Sequence, residues 1–353
     1  MEKASEDEEV LGSCGAQIVL DGTGVDVAGW QIRSLRKPIL SEQGHEALVR
    51  WLSSGFTEDE HVSSCGSVLV GDTHMQLPEI LFGNSVLELR HTGSGTVMRF
   101  DAGGGLRRWV ELFVAGEYQV IKVPEAREWQ VHQEQDASKL NLKHEQYDWT
   151  WATDYAGSTS FPDTSDDGDD AKGEEEDEAQ PRPLCLGEPP PADMSAGWVP
   201  CEGGNIDWAL LQDRTIPILF YAEVVLFEDF IHDHGAVQLS AKIRVMPQCW
   251  FVLLRYWARV DGVVMKVFDT RCFHRFGDVH VFRERTKMAS TFHALRERGC
   301  ATLPTHYPDA QKALPFLRPT EGTIPAAFSA SFTAMSNACC VLENVKVFGG
   351  KSK

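Results

Sequence analysis

The chain has 353 residues, of which 42% are hydrophobic and 10% aromatic, and it carries a formal net charge of −19. This length and composition are typical of a folded protein with a full hydrophobic core, whereas the acidic balance argues against binding to nucleic acid or to an anionic membrane surface. No apolar stretch reaches the ~18 uncharged residues of a membrane-spanning helix. The nine cysteines form no CxxC pair, which favours a reduced cytosolic or nuclear protein.

The first half of the chain is predicted to alternate short strands with amphipathic helices after a disordered, acidic N-terminal segment over residues 1–15. The predicted strands cover residues 17–20, 30–35, 86–91 and 96–101. The predicted helices cover residues 45–52, 106–113 and 124–132. A glycine-containing turn between the last two strands indicates that they form a hairpin.

The composition changes sharply between residues 158 and 204, where Ser, Asp, Glu, Gly and Pro dominate. From Asp163 to Glu178 there are ten acids and one lysine, a net charge of −9, which is about half of the total of −19. Such a segment cannot bury enough apolar area to offset its chain entropy. We therefore predict that 158–204 is a disordered acidic insertion, which loops out of one domain formed by residues 16–157 and 205–298.

Residues 217–287 contain five consecutive strand signals joined by tight turns. Asp261-Gly262 lies between two long β-branched and aromatic runs, so we predict a hairpin that pairs Val260 with Val263 and Trp257 with Lys266. The expected fold class is α+β, with mainly antiparallel β-sheets in two layers and a few flanking helices.

The last part of the chain, residues 299–353, contains five prolines and ends in GGKSK. We predict a Pro-rich, loosely ordered tail, interrupted by one short strand over residues 338–348.

Two histidines at positions i and i+2, His232 and His234, point the same way if they lie on a strand, and carboxylates surround them. A divalent metal is one interpretation. A polar turn between two strands is the favoured one, because a catalytic zinc site needs a third protein ligand that the sequence does not announce. A metal-dependent hydrolase or oxygenase is kept as the alternative function.

Five blocks in chain order carry a family resemblance: LPEILFGNSVLELRH, YDWTWATDYAG, EVVLFEDFIHDHG, SAKIRVMP and RVDGVVMKVFDTR. Over residues 77–285 the chain resembles the TIPRL family, the TOR signalling pathway regulator-like proteins. The resemblance implies a non-enzymatic protein that binds the catalytic subunits of type 2A, type 4 and type 6 protein phosphatases and modulates their activity, with inhibition as the expected direction. We expect no cofactor, a monomer when free, and a cytoplasmic or nuclear location.

The resemblance also implies partner-binding residues at Ile206, Val267 and Asp269, and we add Arg271 because alternate residues of a strand share a face. We expect Asp269 to supply exposed charge and Ile206 an exposed apolar plug. Gly104 stands where relatives can carry an acid that helps to contact the phosphatase, so the resemblance does not carry that contact to this chain.

Overall fold

The computed structural model describes residues 15–19, 22–53, 67–70, 73–115, 121–122, 148–149, 153–161, 197–201, 205–231, 233–319 and 340–346. The strands of these segments form two main antiparallel sheets and two short two-stranded ribbons. The ribbons are β4 (Ser67–Val70) with β5 (Thr73–Gln76), and β9 (Ile121–Lys122) with β10 (Asp148–Trp149). The expected α+β class with mainly antiparallel sheets is confirmed.

The first main sheet has six strands in the order β1-β2-β3-β7-β8-β11. Its strands are β1 (Gln17–Ile18), β2 (Gly24–Val27), β3 (Trp30–Leu35), β7 (Val86–His91), β8 (Val97–Asp101) and β11 (Ser158–Ser160). The predicted hairpin of β7 and β8 is confirmed.

The second main sheet has nine strands, in the order β12-β19-β17-β16-β15-β14-β13-β6, and β18 pairs with β17 beside this path. Its strands are β6 (Ile80–Leu81), β12 (Val199–Pro200), β13 (Phe220–Asp229), β14 (Gly235–Met246), β15 (Cys249–Val260), β16 (Val264–Arg275), β17 (His280–Thr291), β18 (Arg318–Pro319) and β19 (Cys340–Lys346). The five predicted strands over 217–287 are its central β13 to β17.

The helices flank these sheets. They are α1 (Glu42–Ser53), α2 (Ala102–Val114), α3 (Trp208–Gln212), α4 (Phe292–Glu297) and α5 (Ala310–Ala313), with 3₁₀ turns at Pro304–His306 and Leu314–Phe316. The predicted helices at 45–52 and 106–113 are thereby confirmed, while the predicted helix at 124–132 lies outside the described residues. No helix of the described segments is long and apolar enough to cross a membrane.

The main hydrophobic core lies where the two sheets pack together. The six-stranded sheet contributes residues such as Trp30 and Ile32, and the nine-stranded sheet contributes Val252 and Tyr256. Trp30 is only 1% exposed, and its ring centroid lies 5.1 Å from that of Trp250 in an edge-on arrangement. One face of the nine-stranded sheet is therefore committed to the core, and we call the opposite side its outer face.

The β15–β16 hairpin differs from the predicted register by one residue. Val260 pairs with Val264 rather than with Val263, and Trp257 faces Val267 rather than Lys266. Gly262 has a φ of +73°, but Asp261 does not have a positive φ. A two-residue type I′ turn needs positive φ at both central residues, so the chain forms a three-residue loop instead.

The predicted boundaries of the insertion and of the tail are also wrong. Residues 158–161 and 197–201 are ordered, since β11 joins the six-stranded sheet and β12 pairs with β19. Residues 299–319 are not a loose tail, because Tyr307 is 1% exposed and packs in a core cluster with α4 and α5. The short strand expected over 338–348 is confirmed as β19. Residues 1–14 and 162–196 lie outside the described residues.

Candidate functional site

Three of the four predicted partner-binding residues lie on the outer face of the nine-stranded sheet. Val267, Asp269 and Arg271 alternate along β16, so their side chains leave the strand on the same side. The residues between them point the other way, and Phe268 packs against the main core. The predicted shared face of Val267, Asp269 and Arg271 is confirmed.

A network of four charged side chains and one threonine occupies the middle of this face. We call it the charged strip, and its members are Arg255, Asp269, Arg271, Glu284 and Thr286. Arg255 lies directly opposite Asp269 across β15 and β16. Its guanidinium donates two hydrogen bonds, from Nε and Nη2, to the two oxygens of the Asp269 carboxylate at 2.7 and 2.8 Å. This fork arrangement is the strongest geometry for an ion pair between arginine and a carboxylate.

Arg271 connects Asp269 to the next strand of the sheet. It donates to Asp269 Oδ2 at 2.8 Å, to Glu284 Oε1 at 2.8 Å and to Thr286 Oγ1 at 2.9 Å. Two arginines thus balance two carboxylates. The strip is a preorganised, neutral, polar surface rather than a patch of one sign.

Burial alone would raise the pKa of the Asp269 carboxyl. The hydrogen bonds and charges of Arg255 and Arg271 outweigh burial, so that the pKa lies below its ordinary value. Burial alone would lower the pKa of the Arg255 guanidinium. The hydrogen bonds to Asp269 and the charge of that carboxylate outweigh burial, so that the pKa of Arg255 lies above its ordinary value. Both groups are therefore ionised at neutral pH, and the ion pair persists until strongly acidic conditions protonate the carboxyl.

One end of the outer face is covered by an apolar cap. Val267 packs there with Trp257 and Met265 beneath residues of α4 and α5. Arg259 ties this cap to the sheet, because its Nη1 donates a hydrogen bond of 2.9 Å to the carbonyl of Tyr307.

The other end of the outer face is covered by the segment that contains Ile206. Ile206 packs against Met246, Cys249 and Phe273. The neighbouring Asp207 caps α3 by accepting a hydrogen bond from the backbone N–H of Leu210 at 2.9 Å. The structure therefore places Ile206 on the same face as the other three residues, beyond the charged strip.

The expected exposure of these residues is wrong. Asp269 is 2% exposed, and Val267 and Ile206 are 1% exposed. The accessible groups of the strip are instead the side chains of Arg255 and Arg271, which are 19% and 15% exposed. Asp269 is covered by the two arginines that it binds, and Val267 and Ile206 pack into apolar clusters.

Sequence reasoning missed three members of the site, Arg255, Glu284 and Thr286, and Arg255 is the one that a correct hairpin register would have revealed. The predicted hairpin register places Phe268 opposite Arg255 and hides the ion pair. The observed register places Asp269 there. The signal was present in the sequence, since an arginine and an aspartate at matching positions of a hairpin form a favourable cross-strand pair.

The histidine alternative finds no support in the described residues. His232 lies outside them, and His234 lies in the turn between β13 and β14. Across the described segments, no group of three or more His, Cys, Asp or Glu side chains has the arrangement of a metal site.

Gly104 lies in α2 rather than on the outer face of the nine-stranded sheet. A Cβ atom at this position would lie 2.6 Å from the hydroxyl oxygen of Tyr155. An acidic side chain could replace this glycine only if Tyr155 moved.

Comparison with known proteins identifies similar chains. Residues 80–296 match the sequence profile of the TIP41-like family. A "TIP41-like protein" of Arabidopsis thaliana is 33% identical over 297 residues, which is 83% of this chain and 87% of that protein. A "TIP41-like protein" of Homo sapiens is 36% identical over 230 residues, 64% of this chain and 70% of that protein. The "Type 2A phosphatase activator TIP41" of Saccharomyces cerevisiae is 27% identical over 278 residues, 75% of this chain and 62% of that protein.

Proposed function

The chain belongs to the TIP41-like family, and from this premise we propose that it binds the catalytic subunit of a type 2A-like Ser/Thr protein phosphatase and regulates its activity. The name of the yeast relative, a type 2A phosphatase activator, supports this class of partner. The family match spans residues 80–296 and therefore includes the whole charged strip.

The outer face of the nine-stranded sheet is the proposed docking surface. The observation that carries this assignment is the alignment of Val267, Asp269 and Arg271 along β16, with Ile206 beyond them. Because Asp269 is buried, its role is to hold Arg255 and Arg271 in place. The partner contacts the guanidinium groups of Arg255 and Arg271 and the other partly exposed side chains of the outer face. A rigid polar surface of this kind costs little side-chain entropy on binding.

The finer parts of the function are proposals of the same kind. We propose that binding inhibits the catalytic subunit, that type 4 and type 6 enzymes are also bound, and that the protein acts in TOR signalling in the cytoplasm and nucleus. The free protein is proposed to be a monomer. The net charge of −19 favours encounter with a basic region of the partner, because complementary charge raises association rates.

A binding assay with purified type 2A catalytic subunit and the full-length chain tests the proposal. Leu253 is partly exposed and lies directly opposite Arg271 on the outer face. Leu253→Glu places a carboxylate opposite Arg271, where it competes with Asp269, Glu284 and the partner for the guanidinium without removing a residue from the network. We expect binding at least ~30-fold weaker than that of the unmodified chain, as for the loss of an interface hot spot.

Val279→Glu is the matched control, because Val279 is 40% exposed in the turn between β16 and β17. We expect it to bind like the unmodified chain. Equal binding by the two variants would contradict the proposed surface, and no binding by the unmodified chain would contradict the proposed partner. Phosphatase activity measured with and without the protein decides the direction of regulation; a rise in activity would contradict inhibition.

A further inference from the structure

The turn between β13 and β14 contains two non-glycine residues in the left-handed backbone region. Ile231 has a φ of +53° and Asp233 a φ of +68°. The conformation is unfavourable for a β-branched residue in particular. Such strain persists only where the surrounding structure enforces it, and it is concentrated at functional sites.

The surrounding contacts enforce this turn. The carboxylate of Asp229, which is 1% exposed, accepts a hydrogen bond from the backbone N–H of Ile231 at 2.6 Å and another from that of Glu79 at 2.8 Å. The Ile231 side chain is fully buried. A Cβ atom at Gly235 would lie 2.7 Å from its Cδ1, which shows how closely the chain packs around it.

The turn displays Phe230, which is 51% exposed between two residues that are buried. Asp229, the last residue of β13, points into the protein, whereas the Phe230 side chain that follows it points to solvent. An aromatic side chain on a rigid turn loses little conformational entropy when a partner covers it. Phe230 is therefore preorganised as an anchor.

Two acidic residues, Glu228 and Asp233, lie within three residues of Phe230 in the sequence. Glu228 accepts a hydrogen bond from Gln238, and Asp233 is exposed. Within the described residues neither carboxylate forms an ion pair with a cation. Their charge complements lysine or arginine side chains on a partner.

We propose that Phe230 is a second anchor for the partner that binds the charged strip, inserting into an apolar pocket of the catalytic subunit that is edged by lysine or arginine. This inference rests on the proposed function. Phe230 is separated from Asp269 by three strand spacings and four residues along the strand, roughly 20 Å. An interface of about 800 Å² per partner spans this distance.

The test compares two exposed hydrophobic residues, of which only Phe230 belongs to the proposed docking surface. We expect Phe230→Ala to weaken binding of purified type 2A catalytic subunit by about 30-fold, the effect of an interface hot spot. Ile39 is 55% exposed and lies between β3 and α1, outside the nine-stranded sheet, so Ile39→Ala is the control. We expect this control to change binding by less than about 3-fold, and both variants to keep the melting temperature.

Three results would overturn the inference. If Phe230→Ala binds like the unmodified chain while Leu253→Glu does not bind, the docking surface stands and Phe230 is no part of it. If Ile39→Ala and Phe230→Ala weaken binding equally, the effect is a general one of exposed hydrophobic residues. If the unmodified chain does not bind the catalytic subunit, the proposed function itself fails and this inference falls with it.

Discussion

The indole N–H of Trp198 donates a hydrogen bond of 3.0 Å to the hydroxyl of Thr159, although 39 residues separate the two in sequence. Thr159 belongs to β11 of the six-stranded sheet, and Trp198 directly precedes β12 of the nine-stranded sheet. The guanidinium carbon of Arg283 lies 4.0 Å from the centre of the Trp198 ring. Thr159 and Trp198, which flank the acidic stretch over residues 162–196, are therefore held together where the two sheets meet.

Because Trp198 and Thr159 hold the two ends of the acidic stretch together, we predict that the stretch can be shortened without loss of the fold. Replacing residues 163–195 by a short Gly-Ser linker should leave the melting temperature within about 2 °C, because loop-closure entropy changes slowly with loop length. Thermal unfolding followed by circular dichroism measures this.

Trp198→Ala is the informative comparison, since it removes the contact between Trp198 and Thr159 that joins the two ends. We expect it to lower the free energy of unfolding by about 3–5 kcal/mol, as for the loss of a buried tryptophan. If the linker variant is strongly destabilised and Trp198→Ala is neutral, the contact between Trp198 and Thr159 does not hold the two ends of the stretch together.

The same linker variant tests the role of the acidic charge in partner association. It removes the run from Asp163 to Glu178, with its net charge of −9. We expect the association rate with the catalytic subunit to depend less on salt concentration, because long-range attraction is screened by salt. Stopped-flow measurements at several salt concentrations provide the slope, and an unchanged slope would count against a steering role.

The buried ion pair of Asp269 predicts a large cost for removing one partner. Asp269→Ala leaves Arg255 without its carboxylate, and we expect the free energy of unfolding to fall by about 3–5 kcal/mol. Asp261→Ala removes the partner of Arg259 in a pair that is more exposed, with Asp261 24% exposed, and should cost about 1 kcal/mol or less. Denaturant unfolding measures both, and equal costs would show that the strip adds no special stability.

Two buried histidines between the sheets predict a loss of stability in mildly acidic solution. The rings of His91 and His274 lie 5.0 and 5.2 Å from that of Trp30. Burial lowers the pKa of both groups below 6.5. The unfolded chain therefore binds protons first, so stability is complete above about pH 6.5 and falls as the pH decreases through the lowered values.

Urea unfolding between about pH 7.5 and pH 5.5 measures this loss, which is at most about 1.4 kcal/mol per pH unit for each histidine. His274→Asn should reduce the slope. His45→Gln is the comparison. Burial lowers the pKa of His45 as well, but this residue of α1 is only partly buried, so its replacement should reduce the slope less than His274→Asn does. An unchanged slope in His274→Asn would exclude His274 as a source of the pH dependence.

Close packing of α2 predicts that two helical glycines respond differently to the same substitution. A Cβ atom at Gly104 would lie 2.6–2.8 Å from three atoms of Tyr155, so Gly104→Ala should destabilise the protein by about 1–3 kcal/mol. A Cβ atom at Gly44 in α1 comes no closer than 3.3 Å to Leu40. Gly44→Ala should therefore be neutral or stabilising by up to about 1 kcal/mol. The reverse order in thermal unfolding would contradict the packing around Tyr155.

The strand periodicity over residues 217–287 was enough to predict the antiparallel core of the nine-stranded sheet, because alternation of apolar and polar residues is a local property. The register of its main hairpin was not predictable in the same way. Asp261-Gly262 is compatible with a two-residue turn and with the three-residue loop that forms. A shift of one residue in register changes every cross-strand neighbour. The predicted register therefore places Phe268, rather than Asp269, opposite Arg255.

The fold class, the family and the shared face of Val267, Asp269 and Arg271 follow from the sequence, since they depend on residue types and on alternation along one strand. Which of these side chains reach solvent depends on tertiary packing. Packing by α4, α5 and the segment around Ile206 buries the apolar residues, and two arginines from neighbouring positions cover Asp269. Burial arises from contacts between segments distant in sequence, so no local pattern reveals it.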